Sequence, residues 1–63
     1  MIASTNYDEQ TRTLQIEFTT GRVYRYFRVP ERTYEELIHA PSQGEYFNRV
    51  IRNNYRYREV GKR

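Results

Sequence analysis

Residues 13–30 read TLQIEFTTGRVYRYFRVP, and they decide the fold class. Leu14, Ile16 and Phe18 alternate with Thr13, Gln15 and Glu17, the period-two pattern of a strand with one buried face. Gly21 marks residues 19–22 as a hairpin turn, because a residue without a Cβ takes the positive φ that such turns need. The return strand, residues 22–29, is rich in β-branched and aromatic types. Its phase has two solutions. With the odd positions inward, Arg25 would be buried without an obvious partner, which is costly. Tyr24 and Tyr26 are therefore expected to face inward. Arg25 and Phe27 then lie on the open sheet face, and a bulge near Phe27 and Arg28 returns Val29 to the core.

Working outward, residues 2–7 read as a short strand and residues 8–12 as a polar turn. Pro30 holds Val29 extended and opens a helix over residues 31–39. Tyr34, Leu37 and Ile38 fall there at helical spacing, with Glu31 in the first turn where the dipole favours an acid. Pro41 ends that helix. Ser42 and Glu45 form a capping-box pattern that starts a second helix over residues 43–55. Its apolar face carries Phe47, Val50 and Ile51, and its opposite face Arg49, Arg52, Asn53 and Arg56. Residues 61–63 are expected to fray. The predicted architecture is one α+β domain over residues 1–63: a three-stranded antiparallel meander followed by two α-helices packed on one face.

Composition narrows the function. A chain of 63 residues buries only about 60% of the surface its unfolded form exposes. Seven Tyr and three Phe against few aliphatics point to a core built on aromatics. The absence of Cys excludes disulfides and thiolate metal sites, and one His leaves too few ligands for zinc. His39, near a helix end, reads as a dipole partner, and Asp8 with Glu9 as a solvated turn. No leader pattern and no long apolar run is visible, so a cytoplasmic protein without membrane contact is expected. No glycine-rich phosphate loop or nucleophile elbow occurs. A chain this short is expected to have little room for a pocket of about 300 Å³ or more. No enzyme activity, cofactor, metal or small-molecule substrate is therefore expected.

Charge gives the positive signal. Residues 1–47 carry five Arg against seven acids, a net of −2, and residues 48–63 carry five Arg and one Lys against Glu59, a net of +5. Arg presents a planar fork that suits phosphates. Arg49, Arg52 and Arg56 on one helical stripe would grip a phosphate backbone, with Asn48 and Asn53 adding hydrogen bonds to bases or sugars. The plainer alternative is a solvated face that keeps the domain soluble. Tyr55, Arg56, Tyr57 and Arg58 interleave aromatic and basic side chains, a pattern suited to unpaired nucleic acid. Tyr55 is expected to be structural, and Tyr57 and Arg58 available. Phe27 or Tyr57 would stack on a base, and Arg25 and Arg28 would extend the patch if they share its side. Ser42, Gln43 and Gly44 open a helix, but with Glu45 in the first turn a capping role is expected over anion binding.

Leu14 to Phe18, Gly21, Tyr24 and Tyr26, Val29-Pro30, Tyr34, Leu37, Ala40, Ser42 with Gly44, the run Tyr46-Phe47-Asn48, Ile51-Arg52 and Tyr55 together resemble the KTSC domain family. The family is named for the C-terminus of some lysyl-tRNA synthetases, and its members also occur as small stand-alone bacterial and phage proteins. The resemblance spans nearly the whole chain; it implies little about activity beyond the RNA-binding role that the synthetase context suggests. The family often has more residues before the first strand, so that strand is expected to be short or mispaired here. The rival expectation is a protein-interaction module, an adaptor or inhibitor docking an acidic partner by the open sheet face or a strand edge.

Overall fold

The computed structural model describes residues 1–62, the Lys62 side chain excepted. The element order is β1 (Ile2–Asp8), β2 (Thr13–Phe18), β3 (Arg22–Tyr26), α1 (Glu31–His39), α2 (Gln43–Tyr46), a π-helical segment (Phe47–Ile51) and β4 (Tyr57–Lys62). The domain is α+β as expected, but the sheet has four antiparallel strands in the order β1-β2-β3-β4. The expected three-stranded meander is therefore one strand short, and the chain does not end on its helices.

Alternation fixes the two faces. One inner row runs Tyr7, Leu14, Tyr26, Tyr57, and the next runs Thr5, Ile16, Tyr24, Glu59. The intervening row, Asn6, Gln15, Arg25, Arg58, faces the other way. Tyr24 and Tyr26 thus point inward as the strand phase requires. The core joins Leu14, Ile16 and Tyr26 of the sheet to Val29, Leu37, Phe47 and Ile51. At 0% exposure, Val29 has returned to the core. It does so through a left-handed Arg28 (φ 57°) after β3 has ended, not through a bulge within the strand. The Val29 N–H then donates to the Arg12 carbonyl at 2.9 Å, and its own carbonyl accepts from the Tyr7 hydroxyl at 2.6 Å. The Tyr7 ring stacks on Tyr34 with centroids 4.9 Å apart, which fastens α1 over the β1 side of the sheet.

The first strand is neither short nor mispaired. It runs seven residues and pairs with β2 from Ile2 opposite Phe18 to Asp8 opposite Thr13, with an irregularity between Ile2 and Ser4. A second register shift lies between Val23 and Tyr24, where Val60 is the extra residue of β4. Both irregularities fall in edge strands, where bulges twist the edge and hinder pairing with another sheet.

The first helix covers the residues expected of it. Ser42 caps the second, its hydroxyl accepting from the Glu45 N–H at 3.3 Å. That second helix departs from expectation. After one α-helical turn it widens, and the Arg52 N–H bonds to the Phe47 carbonyl at 2.9 Å. Asn54 then ends it: its side-chain amide donates to the Val50 carbonyl at 2.6 Å and its N–H to Ile51 at 3.1 Å. Asn competes in this way for backbone partners and so favours helix ends. The early stop frees residues 57–62 to form β4. Gly61 is therefore part of a strand, not a frayed end, while Arg63 lies outside the described residues.

Candidate nucleic-acid interface

Adding β4 to the sheet lengthens the inner face beyond what the helices cover. Leu14 and Ile16 lie fully under the helical layer, and Tyr26 is 4% exposed, whereas Tyr57 in the next strand is 57% exposed. Between β4 and the π-helical segment a groove of about 480 Å³ remains, larger than the sequence argument allowed. Size did not exclude it because the space lies between elements rather than inside the core. Phe18, Tyr24, Tyr26, Tyr57 and Phe47 give it aromatic surface, while Asn48, Arg52 and Asn53 line the helical wall.

The rings form one connected set. The Tyr57 centroid lies 5.5 Å from both Tyr24 and Tyr26, tilted 45° and 34° to them. Phe47 meets Phe18 and Tyr26 edge-on at 5.3 and 5.4 Å. Burial, with Tyr24 and Tyr57 beside it, pushes the Tyr26 hydroxyl up to about 12, and Arg52 works against that shift. Arg52 therefore stands close enough to act on the groove floor. Two guanidiniums line the groove, and they differ. Arg22 is held by both Glu59 carboxylate oxygens at 3.3 and 3.4 Å. Among the described residues no ion pair engages Arg52.

The residues expected to form one patch separate into several places. Asn48, Arg52, Asn53 and Tyr57 meet at the groove. Arg25 and Phe27 share a hollow on the open sheet face with Asn6, Asp8, Thr11, Thr13 and Gln15. Phe27 is 37% exposed there, and Arg25 Nε donates to Gln15 Oε1 at 3.0 Å. Arg58 sits directly across from Arg25 on that face. Arg28 and Arg56 lie together at one end of the sheet beside Asn54, Tyr55 and Phe27. Arg49 is exposed on the Tyr46 side of the helical segment, where it favours the ionised Tyr46. The Arg49, Arg52, Arg56 stripe thus does not exist as such. The π-helical hydrogen bond changes the angular spacing after Phe47, and Arg56 lies beyond the helix end. Arg25 and Arg28 do not extend the Arg52 patch, because strand alternation places Arg25 on the opposite face.

The groove residues that the sequence does not single out are Phe18 and Arg22; Tyr24 and Tyr26 read from the sequence as core in preference to a stacking platform, and they line the groove while facing inward. No clean alternation announces β4: Tyr55 lies before the strand, and the extra residue Val60 interrupts the period after Tyr57. Among the described residues no cluster of three or more potential metal ligands occurs, and no helix is long and apolar enough to cross a membrane.

Comparison with known proteins agrees on the family. The chain is 40% identical over 60 residues to a lysine–tRNA ligase of Nostoc punctiforme, and 44% identical over 54 residues to that of Trichormus variabilis. It covers 95% and 86% of itself in those matches but spans only about a tenth of either ligase, 11% and 10%. A protein of Stutzerimonas stutzeri is 39% identical over 57 residues, and there the chain spans 80% of the relative. The crystal structure of a KTSC domain protein from Yersinia pestis superposes with a TM-score of 0.92 at 37% identity, covering 95% of this chain and 84% of that one. The KTSC domain pattern matches residues 1–61, and the chain belongs to the KTSC domain family.

Proposed function

We propose that this domain is a non-catalytic nucleic-acid-binding module, with RNA its partner, and that the groove between β4 and the π-helical segment is the binding surface. The observation that carries the reading is the placement of the half-open Tyr57 ring beside Tyr24 and Tyr26, facing a wall that supplies Arg52, Asn48 and Asn53. Aromatic faces beside a guanidinium are the combination that binds bases and phosphates together. The net charge of +3 adds long-range attraction for a polyanion. Relatives that are lysine–tRNA ligases place a similar segment in an RNA-handling protein, which supports RNA over DNA.

A second reading has one observation in its favour. Among the described residues β4 pairs on one side only, so its outer edge could accept a strand from another protein. The extra residue at Val60 and the exposed Arg58 work against such pairing.

Fluorescence anisotropy of labelled single-stranded RNA, tRNA and duplex DNA at several salt concentrations separates the two. Nucleic-acid binding should weaken steeply as salt rises, with a log–log slope of about −0.7 per phosphate contact on a single strand. Absence of binding to all three at low salt would remove the reading and turn attention to the β4 edge.

A further inference from the structure

We infer that the groove seats one unpaired base of a single strand and is not a track for a duplex. The inference rests on the groove being the nucleic-acid site, and it specifies what that site accepts.

Three observations point the same way. The first is the platform. Tyr57 is 57% exposed, lines the groove and pairs across the sheet with Tyr26. In a duplex each base has both faces covered by its neighbours, so no face is available to a ring set in a groove. An unpaired base can turn out and stack. The second is size. A volume of about 480 Å³ sits within the range of about 300–1,000 Å³ typical of sites for small molecules. That scale suits a nucleotide unit, not the side of a double helix. The third is the balance of polar groups. Asn48 and Asn53 on the helical wall each offer a carbonyl and an amino group, which together match the edge of a base. Arg22 is already occupied by Glu59, which leaves Arg52 as the phosphate contact. A duplex-binding surface would need a row of unengaged cations, and the groove does not supply one.

Tyr57 therefore stacks, Asn48 and Asn53 bond to the base edge, and Arg52 holds the adjoining phosphate. The chain has no Trp, so its emission comes from seven tyrosines, of which Tyr24, Tyr26 and Tyr57 line the groove.

The test compares one oligoribonucleotide, alone and annealed to its complement, against the intact domain and its Tyr57→Ala and Tyr57→Phe variants. Circular dichroism verifies that each variant is folded. The single strand should bind tighter than the duplex by about tenfold or more, and quench tyrosine emission. Tyr57→Ala should weaken single-strand binding by roughly 5- to 150-fold, the span that stacking one base confers. Tyr57→Phe keeps the ring and should retain binding. Equal affinity for both forms, or a Tyr57→Ala variant that binds like the parent, would overturn the base seat while leaving salt-dependent RNA binding in place. Binding of neither form would overturn the nucleic-acid reading itself, and the base seat with it.

Discussion

The two faces of the sheet carry the same four strands and opposite chemistry. The inner rows hold Leu14, Ile16, Tyr24, Tyr26 and Tyr57, while the outer row holds Asn6, Gln15, Arg25 and Arg58. Both faces present Arg and an exposed aromatic, so composition alone does not rank them. Enclosure does. On the inner face the helical wall converts Tyr57 and Arg52 into two sides of a groove. On the outer face Phe27 and Arg25 lie in a hollow with Asp8, an acid that no ion pair engages among the described residues and that repels phosphate, whereas Glu59 on the inner face is paired with Arg22. A surface becomes a site when two elements converge on it.

The largest expected effect falls on the covered part of the inner face. Ile51 is fully buried, so Ile51→Ala should cost about 2–5 kcal/mol. A core this small supplies only about 3–5 kcal/mol net. Urea titration should find that variant largely unfolded, and a modest midpoint change would show that the helical layer contributes less than its burial implies.

Alkaline pH probes the same face. Tyr26 and Tyr46 are both pushed up to about 12 from an ordinary value near 10, burial being the larger cause in each. For Tyr46 the bond donated to Glu36 at 2.6 Å adds to it. Between those values the unfolded chain has lost protons that the folded chain retains, so stability falls as pH rises. The contribution is complete below pH ~10 and is lost by about 12. The melting temperature should drop across this window, and less steeply in Tyr26→Phe.

A smaller effect separates the faces directly. Arg52→Gln should reduce the salt slope of RNA binding by about 0.7, whereas Arg25→Gln should leave it nearly unchanged. The reverse order would move the site to the outer face. The smallest effect concerns stability alone. Arg25 and Arg58 are like charges directly across from each other. Arg58→Glu should turn repulsion into attraction and raise stability by about 0.2–1 kcal/mol, measurable by thermal melting.

Most of this fold was legible because alternation and capping are local. Leu14, Ile16 and Phe18 marked a half-buried strand, the cost of burying Arg25 set the phase of β3, and Pro30, Pro41 and Ser42 bounded the helices. What escaped began with two local features and ended in a non-local pairing. Nothing around Phe47 announces a π-helical hydrogen bond, and the Asn54 amide was not recognised as a helix stop. Those two features end the helix early and release β4, and with it the groove. Four of the expected site residues, Asn48, Arg52, Asn53 and Tyr57, do converge, but through a strand pairing between Tyr26 and Tyr57 that spacing along the chain does not encode. Of the others, the five arginines carry charge, which does not specify a face, and Phe27 is a ring on the open sheet face, away from the groove.

The most direct measurement is an NMR titration of the isotope-labelled domain with an unlabelled single-stranded oligoribonucleotide, followed through side-chain resonances. The groove account expects Tyr57, Tyr24, Asn48, Asn53 and Arg52 to shift while Arg25, Phe27 and Arg58 stay in place. Shifts confined to Arg25, Phe27 and Arg58 would contradict it and assign the binding surface to the outer face of the sheet.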